Sequence, residues 1–402
     1  MDPIQNPFAP GAGSRPPQLA GRDPIIVNAS VALKRISIGR HAKSQLLLGL
    51  RGVGKTVLLN RIGEIALEEG YLTSVIEAPE GNTLAEMLAP QLRVLLFRIS
   101  GSEKARVLAN RAMATLRSFA SVFKVSYADF EAGVLPESDT AASGHLETDL
   151  SNLLLSVAQA AAAAEKPIAV LIDEVQYLRP EDLRALIAAM HQVSQRSLPL
   201  VFFGAGLPQL AGLAGEAKSY AERLFDFPEV GPLDAVASRA AIRVPIREAG
   251  ADITDEALER IFEQTEGYPY FLQEWGHHSW DVAAKAPIGL RDIVRASEKA
   301  TAALDASFFR VRFDRLTPRE QNYLRAMAEK GAGPHRSGDI AAELRIDVTT
   351  AGSLRTGLIR KGMIYSPDHG LTAFTVPMFD AYMRRAIPAW RPQTRPKKKR
   401  KG

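Results

Sequence analysis

The eight residues Gly49-Leu50-Arg51-Gly52-Val53-Gly54-Lys55-Thr56 satisfy the pattern G-x-x-x-x-G-K-[ST] at every fixed position. Each fixed position has a physical reason. The glycines let the backbone fold around phosphate groups, so that amide N–H groups point inward at the positive end of the following helix. The lysine reaches the β- and γ-phosphates, and the threonine hydroxyl coordinates magnesium. At ordinary glycine usage such a run arises by accident in roughly one or two chains per hundred of this length. Here it follows a short apolar strand, Gln45–Leu48, and opens a segment, Thr56–Gly70, that carries Val57, Leu58, Ile62, Ile65 and Ala66 on one helical face. Strand, glycine loop and helix together exclude accident and commit the chain to an α/β fold. The expected ligand is ATP with Mg2+, held by Gly49, Arg51, Gly52, Val53, Gly54, Lys55 and Thr56.

A second motif agrees. Ile168-Ala169-Val170-Leu171-Ile172 is a continuous apolar run, as a strand buried on both faces requires, and it ends in Asp173-Glu174. Beside the phosphate-binding strand, Asp173 would complete the magnesium shell with Thr56, and Glu174 would polarise the attacking water. Alone, an Asp after a strand is as often a helix cap. The 118 residues between Lys55 and Asp173 leave room for an inserted helical segment around residues 98–146.

The rest of the first half alternates. Helices are expected over Val31–His41, Leu84–Ile99, Lys104–Phe119, Asp149–Lys166 and Pro180–Val193, with a polar linker over Pro136–Gly144. Strands are expected over Leu72–Ile76 and Leu200–Phe203. Such alternation predicts a parallel, doubly wound sheet. The first 24 residues, with six prolines, read as extended. After Pro232 strand signals stop, and Asp234–Ala286 reads as helical.

At this point the sequence resembles the AAA+ ATPases, within them the initiator-like group of origin-recognition, transposition-regulator and STAND signalling ATPases. Leu19-Ala20-Gly21-Arg22-Asp23 is similar to that family's adenine-bordering box, which places Gly21 and Arg22 at the nucleotide. Asn6-Pro7-Phe8 is similar to its lead-in. Leu200–Phe203 with Gly204-Ala205-Gly206-Leu207-Pro208 resembles the fourth strand and sensor-1 turn. Arg223 falls where some members face a neighbour's nucleotide, and Gly267-Tyr268-Pro269 resembles the lid motif whose proline, here Pro269, packs near the nucleotide. The resemblance covers residues 5–290. It implies an ATPase that forms a homo-oligomer in its ATP state, with Glu174 and Arg223 catalytic. Two departures, no polar residue at Gly204-Ala205 and Tyr270 where many members carry a lid arginine, imply slow turnover.

Beyond the lid, Thr317-Pro318-Arg319-Glu320 is a helix start with a reciprocal cap. Helices to Lys330, over Ser337–Leu344 and over Thr349–Lys361 precede Met363-Ile364-Tyr365, a turn, and Leu371–Val376. That order is a winged helix-turn-helix. Its third helix would present Thr349, Thr350, Ser353, Arg355, Thr356 and Arg360 outward, types suited to phosphates and base edges of double-stranded DNA. A protein-docking module would show the same face.

Charge is concentrated at one end. The net charge of +5 includes +7 in Arg391–Gly402, so the remainder carries −2. The tail reads as a disordered electrostatic tether to nucleic acid. With no cysteine, no long apolar span and a 35 to 15 excess of arginine over lysine, a cytoplasmic, nucleoid-associated bacterial protein without a membrane partner is expected. The seven histidines have no metal-ligand spacing. The resulting architecture is an extended segment 1–24, an α/β nucleotide-binding core 25–232 on a parallel sheet, a helical lid 233–300, a winged helix 301–388 and a basic tail 389–402.

Overall fold

A computed structural model describes residues 1–11, 13–79, 81–125 and 142–391. The basic tail beyond Arg391 and most of the expected linker, residues 136–141, lie outside them.

The core is a five-stranded sheet, every pairing parallel, in the order β2-β3-β4-β1-β5. Its strands are β1 (Ser44–Leu48), β2 (Leu72–Glu77), β3 (Ile168–Asp173), β4 (Leu200–Gly206) and β5 (Phe225–Asp226). Alternate side chains of β3 serve opposite faces: Ala169 and Leu171 meet α1 (Asp23–Ser37) and α2 (Lys55–Glu68). Val170 and Ile172 meet the other layer, built from α3 (Leu84–Arg98), α4 (Glu103–Val122), α5 (Leu146–Ala163), α6 (Pro180–Gln195), α7 (Leu210–Ala217) and the short α8 (Ala221–Leu224). This three-layer burial is why β3 up to Ile172, and Leu46–Leu48 of β1, are apolar without alternation.

Two expectations change. The first helix starts at Asp23, not Val31, because Pro24 sits in its first turn, where no N–H is needed, and Asp23 faces the positive helix end. The fourth strand continues through Gly204-Ala205-Gly206, pairing with Leu46–Leu48, so the turn begins only at Leu207. A Cβ on Gly204 would lie 2.5 Å from a Leu46 methyl, so this glycine is a packing requirement within a strand.

The lid comprises α9 (Ala235–Glu248), α10 (Asp255–Thr265), α11 (Pro269–Val282) and α12 (Leu290–Leu304). The last helix runs through the boundary expected at 300/301 into a wider turn, Asp305–Phe309, and then α13 (Arg310–Asp314). The N-terminal segment is strapped to α11. Phe8 is 2% exposed and fills the space left by the missing side chain of Gly276. Asn6 donates to His277 O and Asp281 Oδ1, and Trp280 Nε1 donates to Asp2 O.

The C-terminal unit holds α14 (Pro318–Glu329), α15 (Ser337–Leu344), α16 (Val348–Arg360) and α17 (Phe379–Ala386). Its small antiparallel sheet has the order β6-β8-β7, with β6 (His335–Arg336), β7 (Ile364–Tyr365) and β8 (Leu371–Phe374). Thr317 and Glu320 form the expected reciprocal cap. Of the residues expected outward on α16, Thr349, Thr350, Ser353, Thr356 and Arg360 are exposed. Arg355 is not free: its Nε donates to Thr372 Oγ1 and its Nη2 to Leu371 O, because a long side chain reaches back to satisfy a buried hydroxyl and a strand carbonyl. Among the described residues no helix is long and apolar enough to cross a membrane.

Candidate functional site

The carboxyl ends of β1, β2 and β3 converge on a cavity of about 630 Å3, within the roughly 300–1,000 Å3 typical of small-molecule sites. Its polar end is the glycine loop. Gly52 and Gly54 have φ of 84° and 90°, values only glycine adopts without strain. Gly49 has no room for a side chain, since a Cβ there would lie 2.2 Å from Val230 O. The loop is clamped from outside. Tyr268 of the lid packs on Gly52 and its hydroxyl donates to Arg51 O, while Tyr270 N–H donates to Gly52 O. Arg22 is buried and donates to Val53 O at 3.0 Å and to Gly231 O at 2.5 Å. Gly21, with φ of 68°, lets the chain turn against Ala237 immediately before it.

Inside the clamp lies Lys55, 6% exposed, its Nζ donating among the described residues to Leu50 O alone. Burial pushes its pKa down, partly opposed by Glu174 and Asp173 and reinforced by Arg51. A buried ammonium with one carbonyl acceptor retains donors for an anion. Thr56 Oγ1 donates to Asp173 Oδ2 at 2.5 Å, and Asp173 Oδ1 accepts from Glu174 N–H at 2.7 Å. Burial raises the Asp173 pKa. Thr56 and Asp173 thus present two adjacent oxygens beside the loop, a donor set that fits a hard cation such as Mg2+. The cavity is also lined by the apolar side chains of Leu19, Ala20, Leu233, Ala241 and Leu272, chemistry suited to a base. The residues present therefore fit a magnesium nucleotide.

Glu174 sits in the left-handed region, φ 55°, which turns its side chain into the cavity. Its carboxylate accepts from Gln176 Nε2, and Gln176 Oε1 accepts Leu207 N–H at 3.1 Å. Sequence reasoning missed Gln176. It fills the place beside Gly206 where a larger strand residue would have stood, since a Cβ there would meet Gln176 Oε1 at 2.7 Å. Gln176 thus bridges the Glu174 carboxylate to the end of β4.

Of the residues expected at the site, Arg22, Arg51, Gly52, Gly54, Lys55, Thr56, Asp173, Glu174 and Pro269 line the cavity. Gly49, Val53 and Gly21 do not line it: Gly49 packs against Val53 and Val230, and Gly21 against Ala237 and Leu233. Arg223 does not reach it. It is exposed on α8, next to the β5 residue that pairs with Ser44 at the opposite end of β1. Ala9, Gly11, Gly13 and Ser14 of the N-terminal segment, Glu77 and Arg312 also line the cavity, and no local motif marks them.

Residues 18–203, which carry the glycine loop, match the family profile described as AAA ATPase domain. Residues 306–383 match a second, described as Domain of unknown function (DUF8462). No curated protein matches the chain. Among solved structures, the Walker-type ATPase PABY2304 of Pyrococcus abyssi is 19% identical with a TM-score of 0.56, covering 92% of this chain and 97% of that one. That likeness shows a shared fold over both halves. The Thermotoga maritima RuvB Holliday junction branch migration motor is 16% identical with a TM-score of 0.47, covering 89% and 95%. The Aeropyrum pernix Orc1 protein in complex with DNA is 15% identical with a TM-score of 0.45, covering 92% and 94%.

Proposed function

From the premise that this chain carries an AAA ATPase domain, we propose that it is a slowly hydrolysing ATP switch that binds duplex DNA through its C-terminal unit, read as a winged helix, and its basic tail. The observation that carries the switch is contact between the two ends of the chain at the glycine loop. Arg51 N–H donates to Thr375 O, and the Arg51 guanidinium packs so close to Gly362 that a Cβ there would lie 2.6 Å from it. Thr375 and Gly362 both belong to the C-terminal unit, so a ligand that alters the loop alters its seat.

In this reading Lys55 and the loop amides hold the phosphates, and Thr56 with Asp173 holds magnesium, which when bound neutralises phosphate charge. Glu174 takes a proton from the attacking water. Gln176 positions Glu174. Gln176→Ala is expected to lower ATP turnover roughly tenfold, the loss of one hydrogen bond to a charged group, with ATP affinity retained. Turnover equal to wild type would remove Gln176 from the mechanism. Exposed and remote from its own cavity, Arg223 is assigned to a neighbouring copy's nucleotide in an ATP-state homo-oligomer. Arg223→Ala should then lower turnover only at concentrations where the chain self-associates.

DNA binding is supported by the order of α14, α15, α16 and the β7–β8 hairpin, and by the polar exposed face of α16. Each phosphate neutralised contributes roughly 0.9 to the slope of log affinity against log salt. Deleting Arg395–Lys401 removes six positive charges and should flatten that slope without altering sequence preference. Arg360→Ala should erode preference. Arg355 is left unchanged because it holds β8. ATP turnover with and without duplex DNA, followed by these salt titrations, tests the assignment.

A second reading is favoured by the seat on the glycine loop and by the engagement of Arg355. The C-terminal unit would then be a protein-docking clasp of a signalling ATPase. No DNA affinity in the full chain would select it.

A further inference from the structure

Four cations line one cavity: Arg22, Lys55, Arg51 and Arg312. Arg22 is engaged by Val53 O and Gly231 O, and Lys55 and Arg51 belong to the glycine loop. Arg312 comes from elsewhere, on α13, the five-residue link between the lid's last helix and the C-terminal unit. Its surroundings are unusual for an arginine. Nη1 donates to Phe308 O at 2.5 Å and the guanidinium carbon lies 3.9 Å above the Phe308 ring, but Nε is buried without a hydrogen-bond partner. Arg51 Nε is in the same condition. Among the described residues neither guanidinium forms a salt bridge, and the charged group that acts most strongly on Arg312 is the like charge of Arg51. Burial and that repulsion push the Arg312 pKa down to about 10. Arg51 Nη2 donates to the Tyr177 hydroxyl, but two half-buried like charges, each with a buried Nε–H left unused, are costly. An anion entering the cavity between them would relieve both.

We propose that Arg312 is a nucleotide-binding residue that contacts the terminal phosphate of a bound nucleoside triphosphate and transmits its presence to the C-terminal unit. The inference rests on the nucleotide reading of the cavity and extends it to a residue outside the AAA ATPase segment. The terminal phosphate is the part of the ligand whose charge distinguishes triphosphate from diphosphate, and a planar guanidinium matches its oxygens. Transmission follows from what holds Arg312 in place. Phe308 stacks on Tyr270 of the lid, ring centroids 4.5 Å apart. Phe309 stacks on Tyr382 of α17 at 5.2 Å and meets Phe379 edge-on. Asp305, at the start of the same wider turn, pairs with Arg385 of α17. Movement of Arg312 off the Phe308 ring toward a phosphate therefore shifts a segment held by lid and C-terminal unit together. A ligand biases the two arrangements only by its differential affinity for them, and the terminal phosphate supplies it.

The test is equilibrium binding of a non-hydrolysable ATP analogue and of ADP, each with Mg2+, to the wild-type chain, Arg312→Gln and Arg312→Lys. Arg312→Gln is expected to lose roughly tenfold to a hundredfold in affinity for the triphosphate, the value of a hydrogen bond to a charged group. ADP affinity should stay within about threefold. Arg312→Lys, which keeps the charge but not the fork, should recover part of the loss. Equal losses for both nucleotides would make Arg312 a packing residue and overturn the proposal, as would no loss for either. Hydrogen exchange of α14–α16 should differ between the two nucleotides in the wild type and not in Arg312→Gln. No such difference in the wild type overturns the relay. Lys55→Ala separates the layers: if it leaves both affinities intact the nucleotide reading itself fails, whereas its loss alongside an unaffected Arg312→Gln overturns only this proposal.

Discussion

Lys55→Ala is expected to remove all ATP-dependent thermal stabilisation. A ligand that binds only the folded state at a hundred times its Kd adds about 2.7 kcal/mol, which for domains of this size raises Tm by several degrees. The variant should show no rise. Lys55 Nζ is the buried donor of the glycine loop, donating to Leu50 O, so its removal leaves the phosphates without their central cation. The unliganded protein should not suffer in proportion. Burial already disfavours this ammonium, and deleting it relieves that cost while opening a small void. Differential scanning fluorimetry with magnesium ATP reads both effects at once. A shift in the variant equal to the wild type's would sink the assignment of the cavity.

The second large effect is expected on turnover. Glu174→Gln should retain ATP-dependent stabilisation and lose roughly a hundredfold to ten-thousandfold in hydrolysis, the range supplied by a positioned general base. The amide keeps the shape and can still meet Gln176, but it cannot take a proton from water. Phosphate release and thermal shift measured on the same preparation separate chemistry from binding. If Glu174→Gln and wild type release phosphate at one rate, the base lies elsewhere, and Glu77, whose Cα is in register with that of Asp173, is the next carboxylate to change.

What could be read in the chain beforehand followed the range over which the cause acts. The glycine loop and the Ile168–Glu174 strand are written within a few residues, because the phosphate-binding geometry is local. Pro24 misled because a proline that breaks a helix interior is favoured in its first turn. Gly204 and Gly206 misled because glycine in a strand resembles a turn until the Leu46 methyl and Gln176 are known to occupy the space beside them. Arg355 was read from the face of its helix, whereas its reach across to β8 decides its role. Arg312 and the cavity-lining Ala9, Gly11, Gly13 and Ser14 have no local signature at all. They meet the loop only through tertiary contacts, and one arginine among 35 carries no label.

The strap formed by Asn6 and Phe8 on α11 also sets an order in time. Asn6 bonds to a carbonyl 271 residues further along, and Phe8 occupies a recess that exists only where Gly276 lacks a side chain. At about 5–20 residues per second, ribosomal synthesis separates these partners by roughly tens of seconds. Throughout that interval the sheet and its glycine loop can form, yet the wall made by Ala9, Gly11, Gly13 and Ser14 has nothing to dock against. Residues made well before α11 are thus among the last to settle. A nascent chain is left with an open-sided phosphate loop until α11 emerges.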